Sequence, residues 1–177
     1  MQMKETGQTY QLNLLKALNE EFNFKMPLKR EIKTEKVMYK NSKYLELLES
    51  TIKLDFNNET IYSRINRQSF SQVILINEFE EMFFQLRYRI GCKDYVLEFP
   101  GGAIENDESP LKAAQRETGE ELGINNINLI EIGSCYMDPM RSKYKGYFFK
   151  SKWLKSLEPF TSIVKGELEE SYFFWMG

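Results

Sequence analysis

Glu117, Glu120 and Glu121 stand three and four positions apart in a chain that contains no histidine. On a helix this spacing projects all three carboxylates within roughly a 100° arc of one face. Like charges so placed repel, and a hard divalent cation with oxygen ligands converts that repulsion into coordination. The absence of histidine excludes Ser-His-Asp and Cys-His catalysis as usually built, histidine-based zinc sites, and imidazole as a general base. The available chemistry is that of carboxylates, hydroxyls, lysine, arginine and metal.

A helix is required to hold the glutamates, and its signals are present. Ser109 suits the N-cap, Pro110 the first helical position and Gly123 the C-terminal stop, which predicts a helix of about three and a half turns. Just upstream, Pro100-Gly101-Gly102 lets the backbone pass close to a ligand without interference from Cβ. Strand-like segments flank this centre. Val37 to Tyr39, Tyr44 to Phe56 and Glu59 to Ile65 are rich in β-branched and aromatic residues, with Asn57-Asn58 as a hairpin turn. Ser71 to Asn77, Glu81 to Arg89 and Tyr95 to Phe99 follow, then Ile127 to Met137, Tyr144 to Phe149 and Ser171 to Trp175. So many closely spaced strands are most simply read as antiparallel pairs. At the start, Thr9 to Phe22 carries Leu14, Leu15, Leu18 and Phe22 at helical spacing, and Phe24 to Lys36 is basic and linker-like.

The whole chain sets further bounds. Its 177 residues, 42% hydrophobic and 28% charged, suit one domain with a real core. A net charge of −2 gives no global attraction to nucleic acid, which is not expected as a partner. Cys92 and Cys135 lie outside any metal-type spacing and read as reduced thiols. The polar first residues and the lack of a long apolar run predict neither signal peptide nor membrane span, and hence the cytoplasm.

The stretch Gly102 to Ile124 resembles the Nudix box, G-x5-E-x7-R-E-U-x-E-E-x-G-U with U apolar. The match runs through Gly102, Glu108, Arg116, Glu117, Glu120, Glu121, Gly123 and Ile124, and the one departure is Thr118 at the first U. The run from Ser71 through Ile104 is similar to the region before the box in the ADP-ribose pyrophosphatase branch. Arg87-Tyr88-Arg89 stands for that branch's Gln-Tyr-Arg-like triplet, with Arg87 in place of Gln. Glu98-Phe99-Pro100-Gly101-Gly102 stands for its Glu-Leu-Pro-(Ala/Gly)-Gly entry. Pro139 falls 16 positions beyond Gly123, about where that branch has its marker proline. The branch's glutamate after the proline is missing: Met140 to Gly146 holds no acid and instead carries Arg141, Lys143 and Lys145, cations suited to phosphate.

The resemblance implies an α/β (α+β) fold, a Nudix-type mixed-sheet α/β/α sandwich. Residues 1–35 form a helix and linker, and residues 36–177 the Nudix domain, with a small antiparallel β segment over 36–66 and the box over 102–124. It also implies hydrolysis of a nucleoside diphosphate linked to another moiety, ADP-ribose or a related nucleotide sugar foremost, and a homodimer through the β segment. Glu117, Glu121, Glu120 and the Gly101 carbonyl would hold Mg2+ or Mn2+. Arg116 orients the glutamates, Glu108 anchors the loop, and Glu120, or next Asp138, is the general base if metal activation of water does not suffice. With Glu121 as a metal ligand, Glu121→Gln is expected to fold normally and to lose turnover. Arg87, Arg89, Glu98, Pro139, Arg141 and Lys143 are the expected substrate contacts, though Arg87 and Arg89 also fit an exposed strand face. Three other readings stay open: dinucleoside polyphosphates or capped RNA as substrate, a domain that binds ADP-ribose-like ligands without cleaving them, and a structural domain with a vestigial box.

Overall fold

The computed structural model describes Lys16, Glu20 and residues 29–41, 45–55, 58–153, 160–162 and 171–177. The chain divides into two compact units, Met1–Asn66 and Arg67–Gly177.

In the first unit, β1 (Glu31–Asn41), β2 (Leu45–Lys53) and β3 (Glu59–Arg67, whose last residue falls in the second unit) form a three-stranded sheet in that order. β1 and β2 are antiparallel, with irregularities between Ile32 and Thr34 and between Val37 and Tyr39. Glu35 of β1, Ser50 of β2 and Arg64 of β3 tie the sheet together. Arg64 pairs with Glu35 and donates to the buried Ser50 hydroxyl, which in turn donates to Glu35. β1 starts at Glu31, five residues before the strand expected from Lys36, so part of the expected linker is sheet. At the β2–β3 turn the Asn58 carbonyl accepts from the Leu54 and Asp55 amides, and Asn58 N–H donates to Asp55 Oδ1. Of the helix expected over Thr9 to Phe22, Lys16 and Glu20 are helical and exposed, and its remainder lies outside the described residues.

The second unit is built on a mixed sheet. Its strands are β4 (Phe70–Ile76), β5 (Met82–Arg89), β6 (Asp94–Glu98), β7 (Gly101–Ala103), β8 (Ile130–Tyr136), β9 (Lys145–Lys152), β10 (Phe160–Ser162) and β11 (Ser171–Met176). The order is β10-β11-β5-β4-β9-β8, with β6 paired to β5 and β7 to β4. β4 and β9 are parallel; the other recorded pairings are antiparallel. Parallel strands need a crossover, and the helix α1 (Pro110–Leu122) lies in the connection that supplies it. α1 packs on β4, β7 and β9 and is the helical layer of the sandwich among the described residues.

The core follows from side-chain alternation. On β4, Ser71, Val73 and Leu75 point inward. Val73 and Leu75, with Phe83, Phe149 and Phe173, meet Ala114, Leu122, Ile124, Ile127 and Leu129 from the helix and the segment after it. Each large apolar side chain buried there contributes about 1.5–3 kcal/mol. Ile127 and Leu129 do this ahead of β8, which begins at Ile130 and not at Ile127 as the periodicity suggested. The three-residue strands β7 and β10 were not foreseen. Among the described residues no helix is long and apolar enough to cross a membrane.

Candidate active site

α1 forms where its caps predict. Ser109 accepts from the Lys112 amide at 3.3 Å, Pro110 opens the first turn, and Gly123 closes the last in the left-handed conformation. The Ser71 hydroxyl donates to the Pro110 carbonyl at 2.8 Å, so β4 fixes the start of the helix. Ala114, Thr118 and Glu121 lie on its buried stripe. Thr118, the departure from the box, spends its hydroxyl on the Ala114 carbonyl at 2.6 Å and so is internally satisfied at 1% exposure.

The entry to the helix is held as firmly. The Phe99 carbonyl accepts from Gln72 Nε2 at 3.3 Å and Gln85 Nε2 at 3.1 Å, and the Pro100 carbonyl accepts from the Val73 amide at 2.9 Å. Gly101 has φ 147°, and a Cβ there would strike the Ser71 carbonyl. Gly102 lies against the helix: a Cβ on it would overlap the Glu117 carboxylate. The Gly101-Gly102 backbone is thus brought directly against box carboxylates. Gly101 N–H donates to Glu121 Oε2 at 2.8 Å.

Arg116 organises the outer carboxylates. Its Nε and Nη2 form a fork on Glu108 at 3.0 and 3.1 Å, and Nη2 also donates to the Ala103 carbonyl at 2.9 Å. Nη1 donates to Glu117 at 2.7 Å and Glu120 at 3.1 Å. All five guanidinium N–H groups are thereby used, so Arg116 orients carboxylates and has no donor left for substrate. The Glu108 side chain also accepts from the Glu105 amide at 3.1 Å and anchors the loop. Hydrogen bonding to Arg116 holds the Glu108 carboxyl below its ordinary range against the opposing effect of burial. In return Glu108, ahead of Glu117, raises the Arg116 pKa.

The three box glutamates do not share one environment. Glu120 is exposed, Glu117 is half-buried against Gly102, and Glu121 is only 5% exposed. Facing Glu121 is Arg87, itself 2% exposed. Arg87 Nη2 lies 3.4 Å from Glu121 Oε1 and 3.1 Å from Gln85 Oε1, while its Nε donates to Ser171 Oγ at 2.5 Å. The exposed-strand alternative therefore fails for Arg87: it shares the inward face of β5 with Phe83 and Gln85. Spacing on α1 could not reveal this, but period-two alternation from Phe83 could.

Arg89, partly exposed, forms a fork on Glu98 at 2.5–3.2 Å. Tyr144, missed in the sequence, stands close enough to feel both. Burial raises its phenol pKa, opposed by Arg67, with a further rise from Glu98 and a lowering by Arg89. The Arg67 guanidinium lies 4.8 Å from the Tyr144 ring centre, and Phe70 packs on that ring at 5.3 Å. Pro139, Arg141 and Lys143 are exposed on the β8–β9 loop, whose Asp138 carbonyl accepts from the Arg141 and Ser142 amides. Among the described residues no ion pair joins Arg141 or Lys143 to the box glutamates. Lys145 instead lies over the Tyr136 ring at 4.6 Å.

Among the described residues no three acidic or cysteine side chains converge as a ready cation cage. Arg116 and Arg87 each hold an oxygen of the box glutamates. The donor set still fits a hard divalent ion: carboxylate oxygens of graded exposure beside backbone that a Cβ would obstruct.

The family description "NUDIX domain" matches residues 66–176, close to the whole second unit. An 8-oxo-dGTP diphosphatase of Haemophilus influenzae is 34% identical over 91 residues, covering 49% of this chain. The chain spans 63% of that relative's length. A solved structure described as an ADP compounds hydrolase superposes with a TM-score of 0.66 at 20% identity, covering 86% of this chain and 80% of the other. The matched span contains the box, its glycine entry and every strand from β4 to β11, and the chain belongs to the Nudix family.

Proposed function

We propose that the protein hydrolyses the pyrophosphate bond of a nucleoside diphosphate linked to another moiety, ADP-ribose or a related nucleotide sugar, in a divalent-metal-dependent reaction. The observation that carries this reading is the seat of the Glu117 carboxylate against Gly102, beside Glu121 on the Gly101 amide. Glu117, Glu121, Glu120 and the Gly101 carbonyl would hold Mg2+, or Mn2+ in its place. Such an ion, when bound, neutralises pyrophosphate charge and makes water acidic enough to attack.

The chain's own residues supply the rest. Arg116 fixes Glu117 and Glu120 in place. Glu120, exposed at the edge of the cluster, is the best-placed proton acceptor for an attacking water, with Asp138 next. Arg89 and Glu98 form a paired polar surface that would face the nucleotide, and Arg141 and Lys143 on the loop with Pro139 would bring cations to phosphate oxygens. The acid-free loop 140–146 makes the box glutamates the source of turnover. Cys92 and Cys135 are free and exposed, as suits the reducing cytoplasm.

The curated relative supports a second reading, a modified nucleoside triphosphate such as 8-oxo-dGTP as substrate. Both are tested by incubating the protein with Mg2+ and ADP-ribose, GDP-mannose, NADH, diadenosine polyphosphates, a capped RNA and 8-oxo-dGTP, then assaying released nucleotide. Turnover of ADP-ribose or a nucleotide sugar is expected. Preferred turnover of 8-oxo-dGTP selects the second reading, and calorimetric binding without turnover selects a sensor. The accompanying variant is Glu117→Gln. It should melt close to the wild type and lose turnover by roughly a hundredfold or more; unchanged turnover rejects the assignment. Glu121→Gln is less suitable than the sequence suggested. It leaves the buried Arg87 uncompensated, so its melting temperature is expected to fall and a loss of turnover would mix stability with chemistry.

A further inference from the structure

We propose that Arg87 is a positioning residue of this carboxylate site: it holds Glu121 on the Gly101 amide and reduces by one the negative charge that the site presents to a divalent cation. The inference rests on the metal-dependent reading above and assigns Arg87 a role other than touching substrate.

The geometry separates the two roles. Arg87 lies inside the sheet at 2% exposure, and its guanidinium donates to Ser171, Gln85 and Glu121, all themselves buried. The strand register explains how they meet. Ser171 of β11 is directly opposite Arg87 on β5, and Gln85 is two positions away on the same face. Gln85 also donates to the Phe99 carbonyl, and Glu121 accepts from Gly101 N–H, so one network joins β11, β5, the glycine entry and α1. A surface arginine that grips phosphate must have free donors and an open approach; Arg87 is fixed from the strand beside it.

Charge counting gives the consequence. Glu108, Glu117, Glu120 and Glu121 carry four negative charges, and Arg116 and Arg87 carry two positive charges, leaving two negative. Replacing Arg87 by a neutral residue leaves three. A cation within several ångströms of Glu121 feels that difference in a partly buried site, where Coulomb interactions are stronger than in bulk water. Arg87 thus keeps the site folded without metal at the cost of weaker metal binding.

The test uses Arg87→Gln, Arg87→Lys, Glu121→Gln and the Arg87→Gln/Glu121→Gln double variant of the full chain, with two readouts other than turnover. In metal-free thermal melts each neutral single variant should fall by roughly 10 °C, and the double variant should regain part of that loss because no buried charge is left unpaired. In calorimetric titration with Mn2+ alone, Arg87→Gln should bind about tenfold more tightly than wild type, and Arg87→Lys, which keeps the charge, within about threefold of wild type. Melting shifts that simply add in the double variant overturn the pairing. Mn2+ affinity unchanged in Arg87→Gln, together with a raised KM, makes Arg87 a substrate contact and overturns the proposal. If neither wild type nor Arg87→Gln takes up Mn2+ while Glu117→Gln keeps turnover, the metal-dependent reading fails, and the melts still decide whether Arg87 seats Glu121.

Discussion

At the scale of single residues, the box motif singles out candidate carboxylates but not how differently they are placed. Glu117, Glu120 and Glu121 are equivalent letters at helical spacing, yet one faces Gly102, one faces solvent and one is buried beside Arg87. Those differences come from partners on β5, β7 and β11, distant in sequence, and spacing within a helix contains no information about them. The Arg116–Glu108 fork was more legible because both partners lie inside the motif. It also has a pH signature. The folded protein holds the Glu108 carboxyl below its ordinary value of 4.5. The stabilisation is therefore complete above that value and is lost as pH falls through the lower folded value. Glu108→Gln should lower the melting temperature near pH 7 and flatten the stability curve as pH falls below 4.5. Parallel wild-type and variant curves in that window would remove Glu108 from the acid transition.

At the scale of elements, α1 was readable from end to end because Ser109, Pro110 and Gly123 are local signals for local hydrogen bonds. β7 was not. Gly101–Ala103 has no strand propensity and is extended because Ser71 and Gln72 of β4 pair with it. β10 is equally short, and its pairing to β11 is likewise a long-range matter. The parallel β4–β9 pairing was hidden for a related reason: antiparallel neighbours are the economical guess for successive strands, and only the crossover through α1 reverses the direction. The approach of β7 to α1 is where these elements bear on the proposed chemistry, and Gly102 sets it. Gly102→Ala would place a methyl group in the volume of the Glu117 carboxylate, which can swing aside, whereas the backbone cannot. Stability should fall only by about 1–3 kcal/mol, while turnover drops by roughly a hundredfold. A thermal melt and a steady-state assay on the same preparation distinguish this outcome from general unfolding. Wild-type turnover in Gly102→Ala would show that the close approach is unimportant.

At the scale of the whole molecule, the family match at 66–176 coincides with the compact unit Arg67–Gly177 and leaves most of the three-stranded sheet outside it. That sheet needs its own explanation. All eleven residues of β1 are exposed, including Ile32, Val37, Met38 and Tyr39, and β3 exposes Ile61 and Tyr62. β1 and β3 are the outer strands of their sheet. Long outer strands carrying apolar side chains favour pairing with another chain unless charge or cover blunts them. This agrees with the homodimer implied by the resemblance, for which the three-stranded sheet is the proposed contact. Sedimentation at micromolar concentration should give a dimer. The Val37→Glu/Ile61→Glu variant should sediment as a monomer and bind Mn2+ as the wild type does, because neither position belongs to the box unit. A wild-type monomer, or a variant that still dimerises, would exclude this sheet as the contact and leave its exposed apolar residues to be explained by a different partner.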